Sequence, residues 1–160
     1  MNNTEIADIF DRIANLLEIK GEIVYKILAY RHAAESIRIL SSDISGLSEK
    51  EILDIPGIGQ AIAQKIRELL STGKLDFIQK LESEVPPALI ELLKVQDLGP
   101  KKATLFWKQA GITSLAELEQ AARADKLSAL PGMGVKSQAH ILAGIEALKQ
   151  EKNVCQLTKH

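Results

Sequence analysis

Three short stretches of this chain combine glycine, proline and lysine in a way that suits the gripping of a phosphate. They are Pro56-Gly57-Ile58-Gly59, Asp97-Leu98-Gly99-Pro100 followed by Lys101 and Lys102, and Pro131-Gly132-Met133-Gly134 followed by Val135 and Lys136. Pro56 fixes its own φ and disfavours helix at Ile55. Gly57 and Gly59 can take positive φ without Cβ strain, and Gly59 also lets another backbone come close. Ile58 lies between them and is placed to pin the turn to its flanking helices. The helix that follows begins with free backbone N–H groups and a positive dipole end, which together favour an anion. Lys101, Lys102 and Lys136 each add a charge at such a helix start. In the second stretch Asp97 replaces the first glycine. Aspartate tolerates positive φ better than most residues, but its carboxylate would repel phosphate if it faced the same way.

Contacts of this kind made to a DNA backbone read no bases, so they position a protein without choosing a sequence. Two such hairpins side by side can hold both strands of a duplex. Nucleotide-binding loops fit poorly. The chain has no Gly-x-x-x-x-Gly-Lys-Ser/Thr, and Ile62 stands where a dinucleotide fingerprint after Gly57-Ile58-Gly59 needs glycine.

The elements that carry these turns read as helices. Ile6, Ile9, Phe10, Ile13, Leu16 and Leu17 follow helical spacing, with Asn2, Asn3 or Thr4 as cap and Gly21 as stop. A second helix is expected over about 23–39, with Ile27, Tyr30, Ala34 and Ile37 inward. Ser48 caps a short helix over 49–53 that enters the first turn. The helix after Gly59 buries Ile62, Ile66, Leu69 and Leu70 and stops at Gly73, and another begins at Leu75. Pro86-Pro87 marks a border, because two prolines can start a helix but cannot continue one. Beyond it come helices over 88–93, from the second turn to Ala110, and over 115–124. A short helix over 126–130 is expected to enter the third turn, and a last one to run from Val135 to about Lys149. No strand is expected. The fold class is all-α, with residues 1–82 carrying one hairpin, 88–150 carrying a pair, and 151–160 forming a frayed polar tail.

Composition narrows the function classes. In 160 residues the hydrophobic share is 46% and the charged share 26%, ordinary for a globular protein, while the net charge of −1 gives no global basic field for nucleic acid. That argues against bulk-charge binding and less against backbone N–H groups with a few local lysines. Cys155 is the only cysteine, so no intrachain disulfide can form and a reducing, cytoplasmic location is expected. The first residues are polar and acidic, unlike a secretory leader. No apolar run approaches the roughly 20 residues that span a bilayer, so no membrane partner is expected.

Taken together, several motifs resemble the amino-terminal part of a bacterial family X DNA polymerase. They are Glu5-Ile6-Ala7-Asp8-Ile9-Phe10, Ile19-Lys20-Gly21, Ala29-Tyr30-Arg31 with Ala33-Ala34, Ile55-Pro56-Gly57-Ile58-Gly59, Thr72-Gly73-Lys74-Leu75 and Val85-Pro86-Pro87. Leu98-Gly99-Pro100-Lys101-Lys102-Ala103 and Leu130-Pro131-Gly132-Met133-Gly134 complete the set. The likeness covers about residues 3–147. It implies a lyase-like domain gripping the 5′ side of a DNA gap, then a DNA-binding subdomain that precedes a catalytic palm. It also implies a sodium or potassium ion at hairpin carbonyls when DNA is bound, by position those of Leu53, Ile55 and Ile58 and of Leu93, Val95 and Leu98. No other cofactor is expected.

The same resemblance places Lys65 where lyase-active members have their Schiff-base lysine, with Lys26 and Tyr30 helping to hold a 5′-phosphate. A lysine nucleophile works as the free amine, which burial or neighbouring cations favour. The chain departs from the pattern at Leu53 and Ala61, where lyase-active relatives have phosphate-binding lysines, at His32 for another basic residue, and at Gln64 for an acid. No Asp-x-Asp is present to hold the two metal ions of polymerisation, and no His-x-His to build a metal phosphoesterase centre. Three readings stand: binding of gapped, nicked or 5′-ended DNA without regard to sequence, a metal-independent abasic-site lyase using Lys65, and a protein-interaction module that keeps the hairpins only as structure.

Overall fold

The computed structural model describes the backbone of residues 1–158, and the side chains of residues 1–151 except Pro87. Among the described residues the chain forms nine α-helices and one 3₁₀ turn, with no strand. It divides into two units, Met1–Val85 and Pro86–His160.

The first unit contains α1 (Asn3–Lys20), α2 (Val24–Arg38), the 3₁₀ turn Ile44–Gly46, α3 (Glu49–Leu53), α4 (Gln60–Thr72) and α5 (Asp76–Glu84). Its core is built on the α1–α2 pair, because α1 turns Ile6, Phe10, Ile13, Leu16 and Leu17 inward and α2 answers with Ile27, Tyr30, Ala33, Ala34 and Ile37. Each large aliphatic or aromatic side chain removed from water there contributes about 1.5–3 kcal/mol before conformational entropy is counted. Asn2 caps α1 by accepting from the Glu5 N–H at 2.8 Å. Asn3 has a different task. Its amide donates to the Ser42 carbonyl and accepts from the Ile44 N–H, both at 2.9 Å, which closes the loop after α2. Ser48 and Glu51 form a reciprocal capping box on α3. The unit continues to Val85, which is buried, because α5 runs to Glu84.

The second unit contains α6 (Pro87–Leu92), α7 (Pro100–Ala110), α8 (Leu115–Arg123) and α9 (Val135–Thr158). Leu89, Leu92, Phe106, Leu118, Leu127, Ile141 and Ile145 are its core. Trp107 is half-buried. Two sequence expectations are corrected here. The expected helix over 126–130 is a turn, not a helix. Asp125 takes φ 59, which ends the helical path after α8. The side chain of Gln138, only 5% exposed, then holds the turn open-chain: it donates to Asp125 Oδ1 at 2.8 Å and accepts from the Ser128 N–H at 3.0 Å. The last helix does not end near Lys149 but runs to Thr158, because residues 150–158 include no glycine or proline to stop it. Lys159 and His160, the end of the expected polar tail, lie outside the described residues.

Gly144 on α9 marks the tightest approach in this unit. A Cβ there would meet Val95 Cγ1 at 2.9 Å and the Gln96 backbone at 3.2 Å. At Gly99, by contrast, a Cβ would meet nothing within 4 Å. Gly144→Val is therefore expected to destabilise the second unit by about 1–3 kcal/mol in urea unfolding followed by helical circular dichroism, whereas Gly99→Ala stays under about 1 kcal/mol. Gln138→Leu removes both bonds from this buried side chain to the turn, and a loss of about 1–3 kcal/mol is expected in the same assay.

Candidate functional site

The three glycine-rich turns share one backbone frame. In the first, the Ile55 N–H donates to the Ile52 carbonyl and the Ile58 N–H to the Ile55 carbonyl, both at 3.1 Å. Val95 to Leu92 and Leu98 to Val95 repeat this at 3.1 Å in the second. Leu130 to Leu127 at 3.1 Å and Met133 to Leu130 at 3.0 Å repeat it in the third. The residue with positive φ falls at the same step each time: Gly57 (85°), Asp97 (66°) and Gly132 (76°). Asp97 thus keeps the turn that the glycines make elsewhere. The next helix is entered by bonds from Ala63, Ala103 and Gln138 back to the carbonyls of Gly59, Gly99 and Gly134 at 2.9–3.0 Å.

The second glycine of each turn behaves differently from the first. Gly59 and Gly99 have φ near −90° and ψ near 180°, extended backbone open to any residue, so the freedom of positive φ anticipated for Gly59 is not used. A Cβ at Gly59, Gly99 or Gly134 would meet no atom within 4 Å. The fold itself therefore makes no demand for glycine at these three positions. What the missing side chain leaves is clear space in front of the helix start. Gly59 and Gly99 also supply no side chain to cap α4 and α7, unlike Asn2, Ser48 and Ser114 on α1, α3 and α8. The first N–H groups of α4, and those of α7 after Pro100, are therefore left without a side-chain cap from the N-cap residue.

The lysines expected beside these turns are not equivalent. Lys101 and Lys136 are exposed. Lys102 is half-buried and donates from Nζ to the Asp97 carbonyl at 3.3 Å, bracing the turn. Of the six carbonyls considered for a monovalent cation, those of Ile55 and Val95 already accept one N–H bond within the turn. Each carbonyl oxygen keeps a second lone pair, and such neutral oxygens suit a hard cation. Leu53 and Leu93 are half-buried at the ends of the incoming helices, and Ile58 and Leu98 are buried inside the turns. One brace was not visible in the sequence. Ser36 on α2 donates from Oγ to the Pro56 carbonyl at 2.8 Å, and Gly57 faces Ser36 and His32.

A second feature of the first unit is a groove of about 310 Å³ between α1, α2 and α5. Lys20, Lys26, Lys80, Tyr30 and Phe77 line it together with Glu22 and Glu84. Two of its lysines are paired: Lys26 with Glu22 at 3.1 Å, and Lys20 with Glu84. The hydrogen bond from Lys20 holds the Glu84 carboxyl below its usual range, and burial raises the Tyr30 phenol. Tyr30 lies between two rings, tilted against Phe10 at 6.0 Å and stacked on Phe77 at 5.9 Å. Lys65 is half-buried with Nζ 4.8 Å from the Phe77 ring centre and 6.0 Å from that of Tyr30, against ring faces that attract an ammonium group. Lys26 and Tyr30 thus line the groove, while Lys65 lies against the Tyr30 and Phe77 rings without being one of the lining residues. Lys20, Phe77 and Lys80 complete the lining; Lys20 lies in the Ile19-Lys20-Gly21 stretch, whereas Phe77 and Lys80 come from a distant part of the chain and carry no motif that could have singled them out.

Among the described residues no group of three or more His, Cys, Asp or Glu side chains converges as a metal site, and no helix is long and apolar enough to cross a membrane. Comparison with known proteins places these turns in context. Residues 1–75 match the helix-hairpin-helix domain family, and residues 89–147 match the SAM-like helix-hairpin-helix tandem family. The chain is 34% identical over 152 residues to a DNA polymerase/3′-5′ exonuclease PolX of Bacillus subtilis (strain 168), covering 94% of this chain and 26% of that protein. It is 27% identical over 135 residues to proteins named DNA polymerase lambda from Rattus norvegicus and Arabidopsis thaliana, covering 84% of this chain and 22% and 24% of those proteins. The chain therefore spans about a quarter of the length of these relatives. With one helix-hairpin-helix match on each unit and the PolX likeness along nearly the whole length, the chain carries helix-hairpin-helix domains in both units and fits the amino-terminal region of a bacterial family X DNA polymerase.

Proposed function

We propose that this chain binds DNA through its phosphate backbone, without reading sequence, in the setting of a repair polymerase of family X, and that its preferred sites are gaps, nicks and 5′ ends. The observation that carries this reading is the glycine at positions 59, 99 and 134. None is required by φ or by a neighbouring atom, yet each clears the approach to a helix start that offers backbone N–H groups. A phosphate is the ligand that such a site suits. Gly57 and Gly132 supply the positive φ of the turns that lead into those helix starts, and Lys101, Lys102 and Lys136 add charge after them. A sodium or potassium ion held by the carbonyls of Leu53, Ile55 and Ile58, or of Leu93, Val95 and Leu98, would bridge the turn to the same phosphate. The polymerase names of the relatives support a DNA partner and a palm domain working alongside.

A second reading rests on the groove of the first unit. A 5′-phosphate attracted by Lys20, Lys26 and Lys80 would bring an abasic sugar near Lys65. The free Nζ would add to the sugar aldehyde carbon and lose water to form an imine. Removal of a C2′ proton then expels the 3′ phosphate oxygen as the C3′–O bond breaks, and hydrolysis of the imine restores the lysine. No metal enters these steps.

Gly59→Glu tests the first reading. A Cβ at this position meets no atom within 4 Å and φ is not left-handed, so helicity should be unchanged while affinity for gapped duplex falls about tenfold or more, with the carboxylate placed against phosphate. Affinity of the unsubstituted chain should rise as salt is lowered, since phosphate contacts release counterions. Fluorescence anisotropy reads both, and an unaltered affinity in Gly59→Glu contradicts the proposal. For the second reading, borohydride reduction with abasic DNA should trap a covalent adduct that Lys65→Ala loses. Trapping that persists in Lys65→Ala removes this lysine from the role.

A further inference from the structure

The three turns are alike in backbone and unlike in charge: the first helix start carries no lysine, the second carries Lys101 and Lys102 but also Asp97 in its turn, and the third carries Lys136. Asp97 occupies the step filled by Gly57 and Gly132 and takes the same left-handed φ. The residue is exposed, and its carboxylate has no hydrogen bond or ion pair among the described residues. The nearest bonded cation, Lys102, reaches the carbonyl oxygen of Asp97 and leaves the carboxylate alone. Glycine or asparagine would serve this φ at least as well as aspartate. The negative charge is therefore not needed by the turn.

We propose that Asp97 weakens the grip of the second hairpin, its carboxylate lowering the affinity for a phosphate bound at that turn. The inference rests on the phosphate-binding reading given above. A side-chain carboxylate remains within a few ångströms of its own backbone N–H, so a phosphate received at this turn meets a like charge at close range. Lys101 and Lys102 offset that charge, and the third turn has a glycine, Gly132, at the same step and one lysine, Lys136, after it. At surface separations of about 5 Å, one like charge changes affinity by about three- to tenfold, and added salt shrinks the effect.

Asp97→Asn keeps the tolerance of positive φ and removes the charge, and Gly132→Asp places the charge in the third turn, where a Cβ meets nothing within 4 Å. Binding of the full chain to gapped duplex is measured by anisotropy at low and high salt, with chelator and with magnesium. Asp97→Asn should bind about three- to tenfold more tightly at low salt, with the gain shrinking as salt rises, and Gly132→Asp should bind correspondingly more weakly. Equal or weaker binding by Asp97→Asn, while the unsubstituted chain binds and Gly59→Glu does not, overturns this inference and leaves the phosphate-binding reading standing. Weaker binding by Asp97→Asn only in magnesium overturns it in favour of a bridging cation. A chain that fails to bind at low salt sinks the underlying reading and this inference with it.

Discussion

The structure depends on a small backbone frame, two successive N–H to carbonyl bonds spaced three residues apart, followed by one residue in the left-handed region. Each bond contributes about 1 kcal/mol net, and by itself that would not hold a turn against its conformational entropy. The frame is held by the side chains that its geometry turns inward. Ile52, Ile55 and Ile58 are all buried in the first hairpin, as are Leu92, Val95 and Leu98 in the second. Their burial, about 1.5–3 kcal/mol each, outweighs the bonds and fixes the direction in which the next helix starts. In the third hairpin Leu127 is buried but Leu130 and Met133 are only half-buried, so the same frame stands on a thinner apolar base.

Each unit braces its turns with a helix from elsewhere in the unit. In the first, α2 lies behind Gly57 and bonds Pro56 through Ser36. In the second, α9 begins at the third turn and, ten residues on, presses Gly144 against Val95 and Gln96 of the second. The two turns of the pair are thus set by a single rigid element. Two phosphate contacts can be made together only if their spacing is held, and a helix with a glycine contact does this with no loop between.

The groove of the first unit follows another logic. Its lysines are partly answered by Glu22 and Glu84, and Lys65 rests on aromatic faces. Such an arrangement gathers positive charge without leaving it wholly uncompensated in the free protein. A ligand phosphate would compete with two exposed or half-exposed carboxylates, pairs that contribute little in water and yield readily. The stacked Tyr30 and Phe77 fix the floor against which this exchange occurs.

Much of this was legible in residue order alone. The helical periods of α1 and α4, the caps at Asn2, Ser48 and Ser114, and the stops at Gly21, Gly73 and Gly111 are local events, decided within a few residues by sterics and by the needs of terminal N–H groups. So were the three turns, whose glycines and prolines are read without reference to the rest of the fold. Other features required the folded chain. The stretch over 126–130 has helical composition but is held as a turn by Gln138, a partner from the following helix. Asp97 is ambiguous in sequence and resolved only by the turn that Leu92, Val95 and Leu98 anchor from within. Which glycine serves φ and which serves clearance could not be told from Gly-x-Gly, because clearance depends on atoms from other elements. The groove joins Lys20, Lys26 and Tyr30 to Phe77 and Lys80 of α5, a segment far from them in the chain, and only the packing of α1, α2 and α5 makes the two sets neighbours.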